Sequence, residues 1–464
     1  MTREQELRGL FGDTEDLACR RLTVGTQTAA VYYIDGLCAG AEIADTVVRP
    51  LCRGVRPGTA QEVFLQARDS SVCNASMEQA QTARQIADRL LHGFCAVLLD
   101  DSLPALCFEV KTGEKRGPSA PESENTVKGA KDAFVETART NTGLIRRHLR
   151  SAQLRFVSRR VGRCTQNDAT VCWLEGRCEP SLVQRMLRRL EQLDMDGFIL
   201  PASVEEAVTG SRRTAFPLLQ YTERTDTFCQ GLLEGKVGLL VDGLPLGYLA
   251  PVSLSGLMES SEDRAVDYVS ASILRVLRYL ALFVSLLLPA VYVAMATFHQ
   301  QMLPTKLLLA IIASKKDVPF STLLEVAGLL AAFELLQEAG LHLPQAIGTA
   351  VSIIGGLVVG TAAVDADLVS PAALIVTASG GICGFTLPNR DLSDAIRVWR
   401  LALTALAGAA GLLGVAAGVV ALCIHLAGLT SLDEAYLAPF SQARGGGVLM
   451  RRRVTANGRT EAEE

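Results

Sequence analysis

Three carboxylates interrupt an otherwise apolar segment, VPFSTLLEVAGLLAAFELLQEAG, at residues 318–340. Glu325, Glu334 and Glu338 lie there among leucine, alanine, valine and phenylalanine. At about 100° per residue, Glu334 and Glu338 share one face of a helix and Glu325 lies on the opposite face. An ionised carboxylate at membrane depth is costly and usually faces a bundle interior or a water-filled path. The segment therefore indicates either acids along an ion path or an interfacial helix whose acids face water.

The neighbouring sequence indicates that this helix belongs to a membrane domain. A helix needs about 20 apolar residues to cross a hydrocarbon core of about 30 Å. Pro289 would break a soluble helix, but a lipid-embedded helix tolerates it as a kink. Four segments are long enough and carry few or no charges: 276–298, 343–364, 368–388 and 401–429. We therefore predict an all-α polytopic membrane domain over residues 270–440, with four or five spans.

The arginines of this domain give conflicting topologies. Positive residues favour the cytosolic end of a span, and three groups compete for it: Arg275 with Arg278, the arginines at 390–400, and those at 451–453. With four spans the second group falls outside, and with 318–340 as a fifth span the third group does. We predict a cytosolic N-terminal domain and tail, with 301–340 interfacial or re-entrant.

Small residues recur in the membrane domain at the spacing that close helix packing uses. Gly348, Ser352, Gly356 and Gly360 follow one another at intervals of four and form one narrow stripe. Such a stripe lets two helix backbones approach closely in lipid. It is a candidate face for helix packing within one subunit or between subunits.

The first half of the chain contains an internal duplication. VYYIDGLC and VCWLEGRC, beginning at Val31 and Val171, lie about 140 residues apart, as do LLHGFCAVLLDDSLP and LLEGKVGLLVDGLP. Each unit combines strands, turns of acid and glycine, and helices, which predicts two similar α/β subdomains. The predicted boundaries are 1–115 and 151–265 for these cytosolic subdomains, 116–150 for a linker and connecting helix, and 441–464 for a polar basic tail.

Several function classes lack their sequence motifs here. There is no P-loop, no glycine-rich dinucleotide turn, no GxSxG and no HExxH. The polar N-terminus has no apolar signal region, and the twelve cysteines include no CxxC pair, as expected of reduced cytosolic thiols. A net charge of −4 without a basic stripe does not favour nucleic-acid binding. We expect no catalytic residue, cofactor or metal, and we assign Asp35 and Glu175 to repeated turns.

An ordered set of motifs through nearly the whole chain resembles a known family. YIDGL at 33–37 and NTGLIRRHLR at 141–150 precede FPLLQYTERTD at 216–226. VPFSTLLE, FELLQEAG, LPQAIGTAVSIIGG, FTLPNRDLSDAIR and AYLAPF follow in the membrane domain. Together they resemble the A subunit of GerA-type spore germination receptors.

The resemblance implies a nutrient germinant receptor in the inner membrane of a bacterial endospore. Its partners would be a transporter-like B subunit that senses the nutrient and a C-subunit lipoprotein. The A subunit would form a homo-oligomeric ring in the lipid, taken as a pentamer, that conducts monovalent cations. The alternatives are a non-conducting scaffold subunit and a paralogue like the stage V sporulation AF proteins. A secondary transporter is less favoured, because the only repeat lies in the soluble half.

The acidic helix departs from this family at two positions. Glu325, Glu334 and Glu338 match the family pattern, but Leu330 stands where members usually carry an acid. Gln337 stands where members usually carry arginine. If the missing acid lined a cation path, this chain would conduct differently from its relatives, or the helix would not be the pore.

Overall fold

The computed structural model describes residues 2–72, 76–110, 121, 124, 129–210, 214–342 and 360–438. The chain divides into two compact units. The first comprises Met1–Ser211 and Leu219–Pro251, and the second comprises Arg212–Leu218 and Val252–Glu464. An α/β unit is thus followed by a helical unit, as the sequence predicts. The predicted end of the second subdomain at 265 differs from this division, because residues from 252 onward pack with the helices.

The first sheet belongs to the first sequence repeat. Its strands are β1 (Leu17–Val24), β2 (Gln27–Ile34), β3 (Met77–Ala80), β4 (Phe94–Leu98) and β5 (Ala105–Glu109). They pair antiparallel in the order β1-β2-β4-β5-β3. The α-helices are α1 (Arg3–Phe11), α2 (Gly40–Glu42), α3 (Arg49–Gly54), α4 (Ala60–Gln66) and α5 (Ala83–Leu91), with π-helical turns at Ile43–Val48 and Ala67–Ser71.

The second sheet repeats this topology. Its strands are β6 (Leu154–Val161), β7 (Asn167–Leu174), β8 (Gln220–Thr222), β9 (Val237–Val241) and β10 (Gly247–Ala250), in the order β6-β7-β9-β10-β8. The helices are α6 (Ala138–His148), α7 (Pro180–Glu191), α8 (Pro201–Thr209) and α9 (Thr225–Leu233).

The repeated turns follow from a repeated glycine. Gly36 comes after Asp35 with φ +87°, and Gly176 comes after Glu175 with φ +82°. Glycine adopts this left-handed conformation without the steric penalty that a Cβ atom brings. The predicted duplication therefore appears as two sheets of equal strand order, and Asp35 and Glu175 lie at corresponding turns.

The helical unit contains the apolar segments. It begins with α10 (Leu254–Leu257) and a 3₁₀ turn at Ser261–Arg264. The main helices are α11 (Tyr268–Thr297), α12 (Thr305–Lys315), α13 (Thr322–His342), α14 (Gly360–Asp365), α15 (Pro371–Phe385) and α16 (Arg390–Gly428). A 3₁₀ turn at Gln300–Met302 precedes α12, and a small hairpin of β11 (Thr430–Ser431) and β12 (Glu434–Ala435) follows α16. Among the described residues, α11 and α16 are long and apolar enough to cross a membrane by length and composition, although α16 is broken at Gly411.

Helix α16 is two antiparallel segments joined at a sharp turn. Ala410 (φ −136°, ψ 16°) and Gly411 (φ 60°, ψ −141°) are not helical. The rings of Trp399 and His425, 26 positions apart in sequence, lie 5.6 Å apart between centroids. In one straight helix they would be about 39 Å apart. The predicted single span 401–429 is therefore wrong, because a left-handed glycine turns the chain back on itself.

The helices of this unit alternate in direction. Gly411, at the turn of α16, packs against Phe298 at the end of α11, so the first segment of α16 runs parallel to α11. Gly380 of α15 packs on Pro289 and Gly384 on Ser285, so α15 runs antiparallel to α11. The starts of α11 and α16, with their arginines, consequently lie at one end of the bundle. We call this the arginine end.

Candidate functional site

Glu325 lies in a closed cluster at the far end of the bundle. Glu325 is 2% exposed, and its Oε2 lies 2.9 Å from Nζ of Lys315, the last residue of α12. Its Oε1 accepts the backbone N–H of Ser370, which caps the N-terminus of α15. A carboxylate is favoured there because a helix N-terminus carries partial positive charge.

The cation of this cluster is held from several sides. Lys315 Nζ also donates to the hydroxyl of Thr322 and lies 5.9 Å from the centroid of the Tyr292 ring. Four helices, α11, α12, α13 and α15, thus contribute to one cluster, which we call the Glu325 cluster (Glu325, Lys315, Ser370, Thr322 and Tyr292). Its charges cancel within the protein.

Glu334 lies in a second cluster nearer the arginine end. Its Oε2 accepts from Arg397 at 2.9 Å, and its Oε1 accepts from Arg400 at 2.6 Å. Arg400 is 1% exposed and also donates to the carbonyl of Gly380 at 3.4 Å. Arg397 additionally pairs with Asp394. The Glu334 cluster (Glu334, Arg397 and Arg400) therefore ties α13 to the first segment of α16.

A small hollow opens beside the Glu334 cluster. Eight residues from three helices line it: Phe333, Gln337, Gly381, Gly384, Phe385, Ser393, Arg397 and Arg400. Gly381 leaves room for the Phe333 ring, which a Cβ atom would displace. The polar lining consists of two guanidiniums, an amide and a hydroxyl, which together are rich in hydrogen-bond donors.

The three predicted acids do not meet in one site. Glu325 and Glu334 face different partners nine positions apart on α13, and Glu338 is exposed. Their role along an ion path stays a prediction. In the predicted packing stripe, Gly348, Ser352 and Gly356 lie outside the described residues, while Gly360 begins α14 beside Leu374.

The cationic partners were not predicted from the sequence. Arg397 and Arg400 entered the prediction only as part of the arginine group at 390–400 that bears on topology, and Lys315 did not enter it. The available indication was that both arginines lie in an apolar helix, three positions apart and on one face, where a buried charge requires a counter-charge. Glu334 supplies that counter-charge, but it lies 63 residues from Arg397 and 66 residues from Arg400 in the sequence, so the pairing could not be predicted from spacing.

The α/β unit contains a further cluster, around His148. Its Nε2 lies 2.7 Å from Oδ2 of Asp132 and 3.1 Å from Oγ1 of Thr225. The hydrogen bond that His148 donates to the Asp132 carboxylate raises the pKa of His148, and the same bond lowers the pKa of Asp132 to about 2. Both partners use one ring nitrogen, so the cluster is not a relay from acid through histidine to nucleophile. Its geometry suits a structural ion pair.

Metal-binding groups are absent from the part of the chain that the structure describes. No three His, Cys, Asp or Glu side chains there are placed to hold one ion. The two clusters of the helical unit are places where charged side chains are buried between apolar helices.

Known proteins resemble this chain over most of its length. Spore germination protein GerLA of Bacillus cereus is 32% identical over 95% of this chain and 89% of its own length. Stage V sporulation protein AF of Bacillus subtilis is 28% identical over 94% and 88%. The N-terminal domain of the A subunit of the Bacillus megaterium spore germinant receptor GerK3 aligns with a TM-score of 0.42 at 24% identity, over 53% of this chain and 92% of that domain.

The family comparison extends across both units. The Bacillus/Clostridium GerA spore germination protein family matches residues 5–461 of the 464. This range includes both sheets of the α/β unit, the Glu325 cluster and the Glu334 cluster. The chain therefore belongs to the GerA spore germination protein family.

Proposed function

We propose that this chain is the A-type subunit of a nutrient germinant receptor in the inner membrane of a bacterial endospore. The observation that carries the proposal is the family match over residues 5–461. A transporter-like B subunit would sense the nutrient and a C-subunit lipoprotein would complete the receptor. The proposal gives this chain no catalytic step.

We infer a multi-pass topology with a cytosolic α/β unit. Its support is the arginine end, since positive residues favour the cytosol. Arg275 and Arg278 belong to α11, and Arg390, Arg397 and Arg400 to the first segment of α16, which runs parallel to it. The turn at Gly411 returns the chain to that same end before the tail. This extra reversal supports the proposal, because the described arginines and the end of α16 would then lie on the same side.

We propose further that the subunit assembles as a ring, a pentamer, that conducts monovalent cations when the B subunit binds its nutrient. One exposed stripe supports self-association: Val269, Ile273, Val276, Leu280 and Phe283 on α11, each at least half exposed. Their alternating spacing of four and three is the heptad pattern by which helices pack on one another. In such a ring, each subunit would contribute acids near a shared axis.

A second candidate function is a non-conducting scaffold of the germination complex. The observation that favours it is the pairing of Glu325 and Glu334 with internal cations, which leaves neither free to attract a mobile ion. A paralogue acting like stage V sporulation protein AF would differ in partners and not in fold.

The test is potassium release from spores with and without this chain, across a panel of amino acids and sugars. The receptor proposal expects release in response to at least one nutrient to be lost on deletion and restored by the intact gene. Unchanged release to every nutrient that triggers the parent strain would count against it. Restoration of release by a variant that assembles the complex but blocks its own ion flux would favour the scaffold.

A further inference from the structure

The arginines of the Glu334 cluster have more donors than their protein partners use. A guanidinium offers five N–H groups. Arg397 uses two nitrogens, on Glu334 and Asp394, and Arg400 uses two, on Glu334 and the Gly380 carbonyl. In both, the Nε atom is buried and has no hydrogen-bond partner among the described residues. A buried donor left unpaired destabilises the fold, so an acceptor-rich ligand would be stabilising here.

The hollow beside these arginines lies close to the arginine end. Phe385 is the last residue of α15, Ser393 lies in the first turn of α16, and Gln337 is five residues from the end of α13. Lipid headgroups lie at the ends of spanning helices, and basic pockets between such helices bind anionic headgroups. The position of the hollow therefore matches a headgroup more closely than an acyl chain.

The rim of the hollow is apolar and open. Phe385 lines it and is 61% exposed, and Ile382, one turn earlier on α15, is 63% exposed. A free phosphate would gain nothing from this surface, whereas a phospholipid would cover it with its acyl chains. The rim is the reason to choose a lipid over a soluble anion.

We propose that the hollow binds the phosphate of an anionic membrane phospholipid. The phosphate would lie at the mouth of the hollow, which itself has room for about one water. That water would link the phosphate to the buried Nε groups of Arg397 and Arg400, with Gln337 and Ser393 as further donors. Glu334 competes with the phosphate for the same guanidiniums. The proposal rests on the membrane placement given above, and it requires neither ion conduction nor nutrient sensing.

The experiment uses the purified full chain in a neutral detergent. Its Tm is followed while dioctanoyl phosphatidylglycerol, dioctanoyl phosphatidylcholine or inorganic phosphate is added in increasing concentration. We expect phosphatidylglycerol to raise the Tm and the other two additives to leave it nearly unchanged. A germination defect or its absence does not enter this measurement, so its failure is separate from failure of the receptor proposal.

Four variants test whether phosphatidylglycerol stabilises the chain by binding at this hollow. Arg397→Gln removes one charged guanidinium and should raise the concentration of phosphatidylglycerol needed for a given Tm shift about tenfold, because hydrogen bonds from charged donors are stronger than neutral ones. Arg390→Gln, an equal loss of charge at an exposed position of the same helix, should leave the response intact. Glu334→Gln removes the competitor and should strengthen the response. Arg397→Lys replaces Arg397→Gln if the latter does not fold, and should also weaken it, because lysine lacks the fork.

Three outcomes would overturn the proposal. Equal stabilisation by both lipids would show that the rim alone binds acyl chains. An equal response in Arg397→Gln and Arg390→Gln would show that net charge, and not this hollow, attracts the lipid. Stabilisation by inorganic phosphate to the same extent would replace the lipid with a soluble anion and would overturn the choice of ligand.

Discussion

The two buried carboxylates of α13 occupy different kinds of site. Glu325 meets a single lysine and the backbone of a helix N-terminus, and its side chain is completely buried. Glu334 meets two arginines, keeps 24% of its side chain exposed, and borders a hollow. The first site is closed and balanced in charge, whereas the second has unused donors and an opening. Two glutamates on one helix can thus differ in environment: Glu325 is sealed in an ion pair that stabilises the fold, whereas Glu334 borders an opening that a ligand or water can reach.

The largest effect is expected from Glu325→Gln. It leaves the Lys315 ammonium without its carboxylate, and breaking a buried ion pair costs about 3–5 kcal/mol. Thermal unfolding of the full chain in detergent should show a clearly lowered Tm. Glu338→Gln, at an exposed position of the same helix, serves as the control and should have little effect. A Tm equal to that of the control would remove the distinction between the two sites.

A smaller loss is expected from Arg400→Gln. It removes the hydrogen bond to Glu334 and the contact with Gly380, but Arg397 still neutralises the carboxylate, so we expect about 2 kcal/mol. The same unfolding assay applies, with Arg390→Gln as the matched control. A loss larger than that of Glu325→Gln would mean that the Glu334 cluster is the main structural pair.

Glu334→Gln should destabilise less than the identical change at Glu325. Arg397 keeps its pair with Asp394 and Arg400 keeps the Gly380 carbonyl, so we expect about 1 kcal/mol. Comparing the Tm of Glu325→Gln with that of Glu334→Gln in one buffer tests whether the Glu325 site is closed and the Glu334 site is open. Equal destabilisation by both would indicate that Glu334 is sealed from solvent.

The smallest effect concerns pH and the His148 cluster. The ordinary pKa of a histidine lies near neutrality, so the pair of His148 and Asp132 responds to pH in an accessible range. Because Asp132 raises the pKa of His148, the pair's stabilisation is fully present below the free histidine pKa of about 6.5 and is lost as pH rises through the raised pKa. Its acid limit follows Asp132, whose pKa is about 2. The Tm difference between the native chain and His148→Gln should therefore be larger at pH 5.5 than at pH 9, and an equal difference at both pH values would contradict the ion pair.

The sequence anticipated the α/β unit better than the helical unit. VYYIDGLC and VCWLEGRC each combine a short apolar run with a glycine that adopts positive φ, so local chemistry specifies strand and turn. The break at Gly411 has no such local mark. The sequence suits close packing of a straight membrane helix at four glycines: Gly408, Gly411, Gly414 and Gly418. The turn is seen in the structure, from the backbone angles of Gly411 and from the contact of His425 with Trp399.

The candidate site was predicted in part. Acids in an apolar helix are visible in the sequence, as is the cost of leaving them unpaired. Their partners depend on which helices become neighbours, and that is a tertiary property. Lys315 is close in sequence to Glu325, but Arg397 and Arg400 reach Glu334 only through the antiparallel packing of α13 on α16.

The most direct test of the open site is the rate of potassium release from spores that carry Glu334→Ala at the same abundance in the membrane as the native chain. We predict that release to the recognised nutrient is slowed or accelerated while the protein remains in the membrane. A release rate identical to that of the native chain, at equal abundance, would contradict a role for Glu334 in ion movement and would leave its cluster as a structural tie between two helices.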